Sequence, residues 1–133
     1  MEVRLLGPLD VRLEDGPIDL GPRKQRAVLA MLALEAGQAV SADRLVEGLW
    51  AEWPPPSARK MVQLYVSRLR RLLGDSGAEI VTRGRGYELQ LEPGDVDAVR
   101  VARLLEESRP RDALALWRGD PLADLADEPF AAA

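Results

Sequence analysis

Neither cysteine nor histidine occurs among the 133 residues. Disulfides, thiolate metal sites and cysteine nucleophiles are thereby excluded, and so are imidazole-based zinc sites and histidine dyads or triads. No run of about 18 apolar residues is present to span a bilayer, and no charged-then-apolar leader opens the chain. A cytoplasmic protein with no membrane partner is expected. Neither a Walker-type glycine loop nor a nucleophile elbow is found. Carboxylate pairs such as Asp95 with Asp97 and Asp124 with Asp127 have the chemistry for acid–base work, but they fall near expected helix starts, where negative charge stabilises the dipole. The chain reads as a non-enzyme that needs no metal and no cofactor.

What is there fits a soluble globular protein: 47% hydrophobic and 30% charged residues, in a length suited to one core-forming domain and a short appended piece. The net charge of −4 hides an asymmetry. Thirteen basic and thirteen acidic residues lie up to Glu92, against five and nine beyond it. Between Arg59 and Arg85 there are seven cations and only Asp75 and Glu79 to oppose them. It is the local field, not the sum, that a partner meets.

Periodicity divides the chain into an N-terminal sheet, three helices and a hairpin. Residues 2–6 and 10–13 alternate as half-buried strands around the Gly7-Pro8 turn, and residues 18–20 fit a third strand after the turn at 14–17. Pro22 suits the first turn of a helix, and Ala27, Leu29, Ala30, Met31, Ala33 and Leu34 follow at helical spacing until Gly37. Ser41 is placed to cap a second helix that turns Leu45, Leu49 and Trp50 inward. After the stiff Pro54-Pro55-Pro56 connector, Ser57 is placed to cap a third helix ending at Gly74. At about 100° per residue, Met61, Val62, Tyr65, Val66, Leu69, Leu72 and Leu73 share one side of it. Arg59, Lys60, Gln63, Ser67, Arg70 and Arg71 share the other, with Leu64 and Arg68 at the borders. Residues 80–82 and 87–91 read as two strands joined by Arg83-Gly84-Arg85-Gly86, whose glycines permit unusual φ angles. Two more amphipathic helices are expected over residues 96–107 and 111–117.

The third helix carries five positive charges and no negative one, whereas a solvated face ordinarily mixes signs. Arg, Lys and Gln are the residues that bond guanine and adenine edges in the major groove, and Ser takes a base edge or a phosphate. Arg83 and Arg85 project from a tight tip directly after it, suited to the adjoining backbone. Arg23 and Lys24 put positive charge at a helix start, where acids are usual and where phosphate can be held. An alternative is a protein-interaction module whose basic helix docks on an acidic partner. Trp50 and Trp117 close amphipathic helices and are expected to pack, whereas Trp53 among prolines is the one expected to be exposed for a protein contact.

The words of the sequence carry a resemblance. Leu20-Gly21-Pro22-Arg23-Lys24-Gln25-Arg26-Ala27, Val40-Ser41-Ala42-Asp43-Arg44-Leu45, Gln63-Leu64-Tyr65-Val66-Ser67-Arg68-Leu69-Arg70-Arg71-Leu72-Leu73-Gly74 and Arg83-Gly84-Arg85-Gly86-Tyr87 closely resemble the SARP family, the antibiotic regulatory protein activators of actinobacteria. The resemblance implies an α+β fold: an OmpR-type winged helix-turn-helix over residues 1–92, then the start of a helical bacterial transcriptional activation domain over 93–133. It implies that Arg59 to Arg71 belong to the recognition helix, that Arg83 and Arg85 form the wing, and that protomers bind promoter direct repeats head to tail on double-stranded DNA. It also implies that the loop at 51–56, with Glu52 and Trp53, lies near RNA polymerase. In the family the activation domain continues for several more helices, so the chain is expected to be either a fragment or a short member.

Overall fold

Alternation at the N-terminus yields three short strands, β1 (Glu2–Arg4), β2 (Asp10–Leu13) and β3 (Gly16–Pro17), in an antiparallel sheet of that order. Val3 and Val11 are register partners and both are fully buried. In this computed structural model, which describes residues 1–74 and 76–132, Asp75 and Ala133 lie outside the described residues. The third strand forms earlier than residues 18–20. The chain reverses over Glu14 and Asp15, with Gly16 at φ +111°, a conformation that glycine adopts without strain.

The first helix, α1 (Arg23–Leu34), runs through the centre of the core, and Ala27, Val28, Leu29, Ala30 and Leu32 have no exposure. Leu34, expected to face inward, is 54% exposed at the end of the helix. A short strand that periodicity did not reveal, β4 (Ala39–Ser41), follows. It leads into α2 (Ala42–Trp50), where Ser41 is the N-cap: its hydroxyl accepts from the Arg44 amide at 3.1 Å. Leu45 and Leu49 of α2 are fully buried, and Trp50 packs partly buried against the core.

The third helix, α3 (Ala58–Leu73), buries Val62, Tyr65, Val66, Leu69 and Leu73. Leu72, expected with them, is 36% exposed at the edge of that face. Ser57 does not cap this helix with its side chain, because its backbone sits at φ −90°, ψ 10°, outside the extended conformation a capping hydroxyl needs. The preceding prolines supply the entry instead: the Pro55 carbonyl accepts from the Ala58 amide at 3.0 Å.

The strands β5 (Glu79–Arg83) and β6 (Gly86–Gln90) form the hairpin, and the second sheet runs β4-β6-β5 with β5 at an edge. Ile80 and Leu89 pair across it and close the core from that side. Beyond it come α4 (Asp97–Glu106) and α5 (Pro110–Ala115), the latter ending before Trp117, and 3₁₀ turns at Ala123–Leu125 and Pro129–Ala132.

This C-terminal segment is bonded back onto the N-terminal sheet. Asp97, 1% exposed, accepts from the amides of Leu5 at 2.7 Å and Leu6 at 3.0 Å. Its role extends past the helix start at which it was expected. The Leu6 and Leu5 carbonyls accept from Arg118 and Leu122, both at 2.9 Å, and Leu125 is fully buried in the same core as α1. Among the described residues, no helix is long and apolar enough to cross a membrane.

Candidate nucleic-acid interface

Helix α3 lies against α1 and α2 and presents two rows of exposed, mostly polar side chains. The outer row follows the i, i+4, i+7, i+11 spacing of one helical face: Lys60, Leu64, Ser67 and Arg71, all exposed, with Arg68 beside them. Among the described residues, none of Lys60, Arg68, Arg71 and Arg85 lies within ion-pair distance of a carboxylate. Arg68 and Arg71 line an open concavity of about 450 Å³ together with Asp19 and Gly21, just before α1, and Gln25 in its first turn; Asp19 is not within ion-pair distance of either. Leu64, placed at a border by sequence, is 46% exposed in the middle of the cationic row. Its spacing from Lys60 and Ser67 is the signal that would have put it there.

The inner row, Arg59, Gln63 and Arg70, turns toward the hairpin. Arg59, Gln63, Thr82, Arg85 and Tyr87 share a concavity of about 350 Å³ between helix and wing. Arg59 is ion-paired to Asp43 in the first turn of α2, both side chains being well exposed. Arg70 bonds the wing itself: Nε donates to the Ile80 carbonyl at 2.8 Å, Nη2 to the Thr82 hydroxyl at 3.1 Å, and the guanidinium lies 5.8 Å from the centre of the Tyr87 ring.

The wing tip depends on its two glycines for different reasons. Gly84 adopts φ +56° in the turn, as expected. Gly86 has no positive φ; there a Cβ would overlap the Val40 carbonyl, since β6 passes directly against β4. The Arg85 carbonyl accepts from the Ala42 amide at 3.0 Å, which seats the wing on the start of α2. Arg83 and Arg85 are exposed, and Arg83 Nε stands 3.7 Å from a Glu88 oxygen.

At the start of α1 the first turn contains no acid, yet its cations are not all free. Arg23 is exposed. Lys24 donates to the Leu49 carbonyl, pairs with Glu128 at 2.7 Å and sits 5.6 Å from the Trp50 ring centre. Arg26 is paired with Asp124, whose other oxygen accepts from the Leu9 amide at 2.8 Å. In the loop at 51–56, Glu52 is exposed, and Trp53 is 85% exposed, as expected of it. Trp117, expected to pack, is 47% exposed because α5 stops short of it.

Comparison with known proteins bears on the fold and the family. The family described as "Transcriptional regulatory protein, C terminal" matches residues 15–89. The chain is 37% identical over 155 residues to the transcriptional regulatory protein EmbR of Mycobacterium tuberculosis, covering 100% of this chain and 40% of that protein. It is 38% identical to MoaR1 of M. tuberculosis over 144 residues, 94% of this chain and 46% of that one. It is 32% identical to the regulatory protein DnrI of Streptomyces peucetius over 148 residues, 94% of this chain and 54% of that one. The chain therefore spans about half or less of the length of these relatives. A solved structure of M. tuberculosis EmbR in complex with a low-affinity phosphopeptide superimposes with a TM-score of 0.86 at 36% identity, over 98% of this chain and 39% of that one. Sheet, three helices, wing and these relatives together settle the family: the chain belongs to the SARP family of transcriptional regulators, with an OmpR-type winged-helix domain.

Proposed function

We propose that this chain binds double-stranded DNA sequence-specifically as part of a transcriptional activator, with α3 in the major groove and the β5–β6 wing on the adjoining backbone. The observation that carries this reading is the outward row of Lys60, Leu64, Ser67 and Arg71, cationic and without carboxylate partners among the described residues, beside the exposed Arg83 and Arg85 of the wing. In a groove, Arg71 and Lys60 meet guanine edges or phosphates, Ser67 meets either, and Leu64 meets the methyl group of thymine. Gln63, at the flank facing the wing, is in reach of adenine. Arg68, Arg83, Arg85 and Arg23 hold phosphates, which supply most of the affinity.

In the same reading, protomers occupy promoter direct repeats head to tail, and exposed Trp53 with Glu52 offers a contact to RNA polymerase from the loop after α2. EmbR, MoaR1 and DnrI, named as regulators, support the regulatory part of it. Fluorescence anisotropy with a duplex selected from a random pool, titrated against salt, tests it. Affinity should fall with a log–log slope of roughly −0.9 for each phosphate neutralised. A protein that ignores duplex DNA but holds an acidic polypeptide would be an interaction module instead.

A further inference from the structure

We infer that Arg70 is a positioning residue that fixes the wing against the recognition helix, and that it does not serve as a DNA contact. The inference rests on the DNA-binding reading above and deepens it.

Three contacts on one guanidinium carry it. Nε donates to the Ile80 carbonyl at 2.8 Å and Nη2 to the Thr82 hydroxyl at 3.1 Å, two positions apart on one strand. The central carbon, Cζ, of the group stands 5.8 Å from the centre of the Tyr87 ring on the next strand. One side chain of α3 thus grips both strands of the hairpin. The grip matters because β5 is an edge strand, bonded to β6 alone within its sheet. On the other side the wing is already seated, by Gly86 against β4 and by the Arg85 carbonyl on the Ala42 amide. Arg70 supplies the opposing tie, so the tip bearing Arg83 and Arg85 is held at a set distance from the outward row of α3.

The chemistry of the tie demands arginine. A guanidinium is a rigid planar fork that donates from Nε and Nη2 in different directions and lies against an aromatic face, whereas an ammonium is a point charge without a plane. A phosphate contact has no such demand, since lysine replaces the charge. Arg70→Lys therefore separates positioning from a phosphate contact, and a background without the wing arginines separates it from a guanine contact.

The test measures anisotropy on the duplex selected by the wild-type protein, for Arg70→Lys, Arg70→Ala and Thr82→Val. Each is made in the wild-type background and in an Arg83→Ala/Arg85→Ala background, and each is checked for a native melting transition. Arg70→Lys should weaken binding about as much as Arg70→Ala, roughly fivefold to tenfold, the scale of a lost charge-assisted bond. Thr82→Val, which leaves every charge and the helix untouched, should reproduce a smaller part of that loss. Without the wing arginines, the Arg70 substitutions should cost nothing further, because Arg70 acts only through the wing. Hydroxyl-radical footprints of Arg70→Lys should lose backbone protection at the wing, while protection of guanine N7 in the major groove from dimethyl sulfate is kept. If Arg70→Lys binds like wild type, or if Arg70→Ala costs the same in both backgrounds, Arg70 touches DNA and the inference falls while the DNA-binding reading stands. If the wild-type protein binds no duplex in a salt-dependent way, the DNA-binding reading itself falls and takes this with it.

Discussion

At the start of α1, Lys24 and Arg26 are each met by a carboxylate from the far end of the chain, in the case of Glu128 across 104 residues. Along α3, Lys60, Arg68 and Arg71 face outward, and among the described residues no carboxylate comes within ion-pair range of them. Both helices lack acids in their first turn. For α1 the folded chain brings the acids in from the C-terminal segment; for these three cations of α3 the charge is left to meet something outside the molecule. A count of cations along a sequence measures neither outcome, because the partner of a cation is chosen by the tertiary fold.

The comparison breaks first at Glu128. Its carboxylate is 3% exposed and pairs with an ammonium whose other partners, among the described residues, are the Leu49 carbonyl and the Trp50 ring, neither of which carries a charge. Removing it in Glu128→Ala should destabilise the fold by roughly 2 kcal/mol, the scale of a half-buried charge losing its partner, read by thermal or urea unfolding. DNA affinity measured well below the transition should not change. A gain in affinity would mean that Lys24, once released, reaches phosphate, and the two cation groups would no longer differ in kind.

Arg71→Ala is the mirror experiment. Loss of one outward contact should weaken DNA binding about tenfold and reduce the salt slope by roughly 0.9, while stability stays within about 0.5 kcal/mol, as for other exposed surface sites. Some stabilisation of the last helical turn by Arg71 is expected from the helix dipole. A variant that melts early yet binds normally would make Arg71 a structural cation of the Lys24 type.

The parts legible in the sequence are those whose cause is local. Ser41 caps α2 because a hydroxyl reaches an amide three residues on, and Ile80 and Leu89 flank a short glycine turn. Strand β4 was not legible: three residues show no period, and its partner β6 begins 45 positions later, at Gly86 against Ser41. The same applies to Gly86, which reads as a flexible turn residue and is in fact required by the backbone of β4 passing against it. In the interface, the helix wheel sorted buried from exposed positions except at Leu72, which it placed inside, and Leu64, which it left at the border, but it did not sort the two exposed rows from each other. Arg59 and Arg70 differ from Lys60 and Arg71 by one position along the helix, and that step of about 100° brings them, still exposed, within reach of Asp43 and the wing.

Asp43→Asn sharpens the comparison at its weakest point, where the two kinds of cation meet. Arg59 belongs to the cationic helix, yet it carries a carboxylate partner from the first turn of α2. Both side chains are more than half exposed, at 64% and 77%, so the pair holds little energy and phosphate competes with it readily. The asparagine keeps the shape and gives up the charge. Stability should therefore fall by no more than a few tenths of a kcal/mol, from the lost dipole interaction at the start of α2, and DNA affinity should rise roughly threefold as Arg59 is freed. Adding Arg59→Ala should abolish the gain if the effect passes through this guanidinium. If the gain survives in the double variant, Asp43 acts only as one negative charge near the groove, and Arg59 is as bound to the fold as Lys24 is.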